Sequence, residues 1–283
     1  MIRKIKKLHK AVSEPIADLQ TFRAMPTRSV DFIDPFLFLN HHGPQVYGPD
    51  NNGLPFGPHP HRGFETLTFI LHGDVMHKDS GGGKDTIYAG GIQWMTAGRG
   101  VIHTEVSSEE FKKKGGKEEV IQLWFNLPAK LKMTKPNYIG LQKEQVPEVD
   151  NGNVKLHVVS GSWNGQQGPV QSLTGIEMVR MELKKGGSYT TAVAASRNIL
   201  FYVMSGKVQV NGQEANTHTL VQFANEGEEI TIEAMEDTEI IFGHGEPYNE
   251  PIVAHGPFVM NSQAEIMQAM RDYQMGKMGV WTE

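Results

Sequence analysis

The chain has 283 residues, 39% of them hydrophobic and 21% charged, with 31 Gly, 15 Pro and no Cys. That length suits two domains of ordinary size, and the Gly and Pro content favours turns and many short strands. A net charge of −5 gives no reason to expect direct nucleic-acid binding, zero Cys excludes disulfides and thiolate chemistry, and no apolar run approaches the roughly 18 residues of a membrane span.

Along the chain, Arg3, Lys4, Lys6, Lys7, His9 and Lys10 alternate with Ile2, Ile5 and Leu8, which reads as a solvated strand face. The segment lacks the apolar region and cleavage site of a secretory leader, so the protein is expected in the cytoplasm. His41 and His42 fall in a Gly-Pro-flanked loop. Period-2 alternation bounded by Gly, Asn and Asp marks strands at residues 66–71, 120–125, 155–159, 176–183, 200–204, 207–210 and 229–233, with Asn211-Gly212 as a hairpin turn. Gly81-Gly82-Gly83-Lys84 lacks the spacing of a phosphate loop and the helix that would follow one, and reads as a hairpin tip. Residues 129–150, with two Pro and several charges, read as a connection. His244-Gly245-Glu246 has no second ligand pair nearby and reads as structural. A helix is expected from Ser262, where Ser262 and Glu265 form a capping box ahead of an Ile266, Ala269, Met270 and Tyr273 stripe.

Self-comparison supplies the domain plan. HPHRGFETLTFILHG (residues 59–73) aligns without gaps on AVAASRNILFYVMSG (192–206), matching Leu67 with Leu200, Phe69 with Tyr202 and Gly73 with Gly206. An all-β fold follows, two β-barrels of one kind in tandem, with expected domains 1–133 and 134–283, few short helices and one of those near the C-terminus. The same alignment sets His59 and His61 against Ala192 and Ala194. A second placement, residues 97–105 on 224–232, sets His103 against Ile230 and Glu105 against Ile232. The first copy thus carries metal-ligand side chains where the second is apolar.

Residues at i and i+2 on a strand share a face. His59 with His61, and His103 with Glu105, can therefore converge on one ion if their strands are neighbours. Three imidazoles and a carboxylate suit a borderline divalent ion such as Fe, Ni, Cu, Co, Mn or Zn rather than Mg or Ca. Phe56, Phe64, Trp94 and Trp124 are candidates to floor a hydrophobic pocket, or simply to fill a barrel core.

These blocks resemble the paired motifs of the cupin superfamily. DPFLFLNHHGP (34–44), PHPHRGFET (58–66), QWMTAGRGVIHTE (93–105), QLWFNLP (122–128) and NEPIVAHGPFVMN (249–261) resemble one family within it, the pirins. The resemblance implies a bicupin with one metal in the N-terminal barrel, expected as Fe(II), held by His59, His61, His103 and Glu105. Glu65 stands where many other cupins place their ligating carboxylate, and a supporting or pocket role is expected for it. Several bacterial pirins resemble quercetin 2,3-dioxygenases. That implies a flavonol-like aromatic substrate and O2, with Glu105, or Glu65 beside it, taking the 3-hydroxyl proton before the ring opens to release carbon monoxide and a depside. The resemblance also implies an alternative, a non-enzymatic, redox-sensing regulator that binds a protein partner such as a transcription factor or metabolic enzyme. A monomer is expected in either case.

Overall fold

The computed structural model describes residues 1–281. Strands dominate, and the described residues hold two α-helices, Glu109–Lys114 and Gln263–Gln274. The expected strands all form. Lys207–Val210 has the expected bounds, and Asn211 and Gly212 take φ of +47° and +78° in the hairpin to Gln213–Asn216. Ser262 caps the C-terminal helix by accepting from the Glu265 amide, while the Glu265 carboxylate accepts from Ser262 Oγ and the Asn261 amide. Ile266 and Ala269 of the expected stripe are buried, whereas Met270 and Tyr273 are exposed.

Contacts divide the chain into two compact units that do not follow sequence order. One comprises Met1–Val12, Phe22–Leu37 and Gln145–Pro247; the other comprises Ser13–Thr21, Phe38–Glu144 and Tyr248–Glu283. The expected division at residue 133 is therefore corrected at both ends. Ile5–Lys10 pairs with Thr219–Phe223 and completes the edge of the second barrel's sheet. The C-terminal helix joins the first barrel, where Ile266 and Ala269 pack with Ile102. Residues 129–150 are not a plain connection either, since Asn137–Leu141 pairs with Ile92–Thr96. The opening basic segment is only partly solvated. Arg3 is buried and donates to the carbonyls of Val193, Ala194, Arg197 and Ala224.

Each unit repeats one plan. In the first barrel, Asn137–Leu141, Ile92–Thr96, Phe64–His72, Gly116–Asn126 and Phe36–Tyr47 (from Phe38 onward) lie side by side. Phe56–His61, Val101–Val106, Asp74–Asp79 and Lys84–Tyr88 form a second sheet. In the second barrel, Ile5–Lys10, Thr219–Phe223, Asn198–Ser205, Thr238–Gly245 and Glu177–Leu183 take the same order in one sheet. Ser188–Ala192, Glu229–Ala234, Lys207–Val210 and Gln213–Asn216 take it in the other. Phe64–His72 and Asn198–Ser205, aligned by sequence, occupy equivalent central places. Gly73 and Gly206 end them at nearly equal φ, +81° and +82°. Glu105 lies opposite His77, as Ile232 lies opposite Val210.

The interiors differ in chemistry. Phe201, Val203, Val208, Val210, Ile230, Ile232 and Phe242 belong to one continuous apolar cluster in the second barrel. Each such side chain contributes about 1.5–3 kcal/mol by burial. The first barrel has an apolar cluster as well, with Ile70, Val75, Ile87, Phe111 and Val120. Buried polar groups accompany it, including Glu105, Thr68 and Gln93.

Glu118 is another buried acid of this barrel. Burial, with Asp74 adding like charge, pushes its carboxyl up to about 9. Its Oε1 has no hydrogen-bond partner, and Oε2 accepts a long bond, 3.4 Å, from Ser107 Oγ. In the folded state the group keeps its proton after the unfolded chain has lost it. Stability is therefore undiminished below pH 4.5 and falls as pH rises toward 9, with a limiting slope of about 1.4 kcal/mol per pH unit for one proton. Glu118→Gln is expected to flatten the decline of Tm between pH 5 and 9; superimposable wild-type and variant profiles would show that Glu118 does not titrate this way.

Candidate metal centre

Phe56–His61 and Val101–Val106 pair antiparallel, with His103 directly opposite His59. Directly opposed residues on neighbouring strands point to one face with Cβ atoms about 5 Å apart, and His61, two residues from His59, shares that face. Ring centroids lie 4.7 Å apart for His59 and His61, 4.4 Å for His59 and His103, and 4.9 Å for His61 and His103. One ligand nitrogen from each of the three lies within 4.8 Å of the others. This is the expected convergence of the two strands.

Hydrogen bonding assigns the tautomers. His59 Nδ1 donates to the Gly57 carbonyl at 2.7 Å and His61 Nδ1 to the Pro257 carbonyl at 3.4 Å. Each ring is left with a lone pair on Nε2, and these two atoms are only 3.1 Å apart. A shared proton is a poor solution, because burial first and the neighbouring His59 second hold His61 well below the usual histidine range. Burial, followed by the charges of His61 and His59, does the same to His103. Neither nitrogen of buried His103 has a hydrogen-bond partner. Unpartnered buried nitrogens and converging lone pairs are costly in a bare protein and are relieved by a cation. The donor set fits a transition metal.

Glu105 follows His103 by two residues and is buried, yet it lies outside the three-histidine group. Its Oε1 accepts from Thr68 Oγ1 at 3.0 Å and its Oε2 from Gln122 Nε2 at 2.6 Å. Gln122 Oε1 in turn accepts from Trp124 Nε1 at 3.3 Å. Phe64 and Trp124 line the site, with ring centroids 4.9 and 5.3 Å from His61, and Phe38 stacks on Trp124 at 4.5 Å. Phe56 sits 5.1 Å from His42.

Glu65 is placed elsewhere. Along Phe64–His72, Phe64 touches His61 and Thr68 holds Glu105, so alternation turns Glu65 to the opposite face. There its Oε1 accepts from Thr96 Oγ1 at 2.6 Å and Trp94 Nε1 at 3.2 Å, and burial raises its carboxyl above the usual range. The expected supporting or proton-accepting role of Glu65 at the metal is corrected on this ground, and Trp94 leaves the pocket with it.

The remaining candidates resolve as follows. His41 and His42 lie in a strand, not a loop, and both are buried; His41 Nε2 meets Glu119 at 3.1 Å and His42 Nδ1 meets Thr21 Oγ1 at 2.9 Å. His244 accepts from Arg197 Nε at 2.8 Å, and burial depresses its pKa to about 3, a structural role as expected. Residues 81–83 form the hairpin tip, with the Gly81 and Gly83 amides held by Asp79 Oδ1 and the Gly82 amide by the Asp79 carbonyl. The sequence reading did not single out Thr68, Gln122 or the pair His77–Asp79. His77 Nε2 bonds Asp79 at 2.8 Å, and its ring lies 5.5 Å from that of His103. Thr68 and Gln122 stood within quoted or strand-forming segments, but nothing local marks a neutral side chain as a carboxylate holder.

Comparison with known proteins decides the family. The Pirin family model matches residues 18–125, and the Pirin C-terminal cupin domain model matches residues 178–279. The chain belongs to the pirin family. A Caulobacter vibrioides pirin-like protein is 35% identical to this pirin over 265 residues, covering 92% of this chain and 93% of that one. A Pseudomonas aeruginosa protein provisionally named a quercetin 2,3-dioxygenase is 35% identical over 248 residues, covering 87% and 86%. The crystal structure of a quercetin 2,3-dioxygenase from Acinetobacter baumannii superimposes with a TM-score of 0.91 at 35% identity, covering 99% of each chain.

If the three imidazoles are the ion's principal anchors, purified wild-type pirin reconstituted with Fe(II) retains close to one equivalent after desalting. A His59→Ala, His103→Ala double variant should retain almost none while keeping the wild-type far-ultraviolet circular dichroism. Stoichiometric metal in that folded double variant would remove the site assignment.

Proposed function

We propose that this pirin is a mononuclear metal-dependent dioxygenase that opens flavonols of the quercetin type with O2. Its ion, proposed as Fe(II), is held by His59, His61 and His103 and completed by Glu105. One observation carries the reading: three converging imidazoles with open lone pairs beside a carboxylate already oriented by two donors. The quercetin 2,3-dioxygenase name of the 35% identical Acinetobacter structure supports the reaction class.

When bound, the ion supplies the Lewis-acid and redox chemistry that lets a closed-shell organic substrate react with O2. The chain's own residues do the rest. Glu105 accepts the flavonol 3-hydroxyl proton at a carboxylate oxygen, since it stands two residues from His103 on the ligand-bearing face. Thr68 and Gln122 limit its rotation, and Trp124 fixes Gln122 in turn. Phe64 and Trp124 give the planar substrate an aromatic wall, and Phe38 stiffens it from behind by stacking on Trp124. Both atoms of O2 enter the product, one carbon leaves as carbon monoxide, and the depside retains the remaining carbons, so the equation balances without a further reductant.

The test is loss of flavonol absorbance, with carbon monoxide trapped, on mixing quercetin with protein loaded in turn with Fe(II), Ni(II), Co(II), Mn(II) and Cu(II). Turnover with at least one ion is expected. Glu105→Gln, which keeps the size but not the basicity, should lower kcat by roughly 10²–10⁴-fold. Absence of turnover with every ion would sink the dioxygenase reading.

A further inference from the structure

Residues Pro257 to Gly279 touch both strands that carry the histidines, although they lie far from them in sequence. At one end, the Pro257 carbonyl accepts from the Arg62 amide at 3.2 Å as well as from His61 Nδ1, and the Val259 amide donates to the Arg62 carbonyl at 3.0 Å. The chain leaves His61 through Gly63 at φ +90°, where a Cβ would stand 2.0 Å from the Val259 carbonyl oxygen. Only glycine permits that approach. The ammonium of buried Lys132 fastens the same junction, donating to Gly63 O, Val259 O and Asn126 Oδ1 at 2.7–3.0 Å. At the other end, Ser80 Oγ donates to the Met278 carbonyl and accepts from the Ile102 amide, one residue before His103. Ile102 itself packs among Phe258, Ile266 and Met278.

A charged pair ties these contacts together. Arg62, only 3% exposed and next to His61, donates from Nη1 to Asp272 Oδ2 at 2.8 Å and from Nε to the Arg99 carbonyl at 2.6 Å. Asp272, on the C-terminal helix, is oriented by Gln268 and Lys277 through its other oxygen. The guanidinium thus joins the helix, the His61 strand and the turn before the His103 strand in one rigid fork.

We propose that the C-terminal segment is a working part of the metal centre, a strap that sets the orientation of His61 and the separation of the two ligand strands, with Arg62 and Asp272 as its positioning pair. The inference rests on the three-histidine reading of the metal site. It assigns to residues outside the cupin motifs a share of the affinity for the ion, because partners that orient ligand imidazoles commonly account for 10–100-fold in metal affinity.

The experiment measures Ni(II) dissociation constants by chelator competition for full-length wild type, Asp272→Asn, Asp272→Glu and Ser80→Ala, together with the Tm of each protein with and without Ni(II). Asp272→Asn should bind Ni(II) 10–100-fold more weakly and lose much of the metal-induced rise in Tm. Asp272→Glu should recover part of both, and Ser80→Ala should show a smaller loss in the same direction should Asp272→Asn fold poorly. A merely structural strap would lower Tm equally with and without Ni(II) and leave affinity unchanged. Affinities within twofold of wild type for Asp272→Asn and Ser80→Ala would overturn the proposal. Failure of wild type itself to bind Ni(II) would overturn the metal reading, and this inference with it.

Discussion

An imidazole sealed from water with no hydrogen-bond partner is an expensive group to keep, and the first barrel gathers three imidazoles where their lone pairs converge. His59 and His61 hold Nε2 atoms 3.1 Å apart, and both nitrogens of His103 are unpartnered. Burial suppresses the protonation that would otherwise relieve the crowding. The energetic sense of the arrangement lies in a ligand with positive charge. Much of the first barrel serves that requirement: the pairing of Phe56–His61 with Val101–Val106, the carbonyls of Gly57 and Pro257 that fix two tautomers, and the Thr68–Glu105–Gln122 bonding beside them.

The second barrel shows what the same strand plan becomes without that requirement. Its Ile230 and Ile232 stand where the first barrel has His103 and Glu105, and both are fully buried in an apolar cluster. One barrel gains stability from continuous apolar packing, while the other exchanges part of its interior for buried polar groups, the converging imidazoles among them.

Much of this was legible in the sequence because strand periodicity is local. The i,i+2 spacing of His59 and His61 sets their common face, and the self-alignment locates the contrast with Ile230 and Ile232; its match to Ala192 and Ala194 is one residue out of register, since both are exposed and Ile230 pairs with Thr191 where His103 pairs with His59. Glu65 was misplaced for a local reason too. The Arg62-Gly63 turn breaks the strand at φ +90°, so alternation cannot be counted from His61 through to Glu65. Its face becomes visible only once Phe64 is seen against His61 and Thr68 against Glu105. The exchange of chain ends was not legible at all. Ile5–Lys10 is a strand wherever it pairs, and the stripe on Gln263–Gln274 is apolar whichever barrel it covers; neither pattern encodes a partner more than a hundred residues away. The buried state of Arg3 has the same origin, since its four carbonyl acceptors come from distant turns.

We propose that one ion sits among His59, His61 and His103 of the first barrel. A crystal structure of the metal-loaded protein, with anomalous data collected on both sides of the metal's absorption edge, tests it most directly. A single strong anomalous peak is expected about 2.1 Å from one nitrogen of each histidine, with a Glu105 oxygen completing the set and no peak in the second barrel. A stoichiometric ion bound anywhere else, or ligated by Glu65, would contradict it.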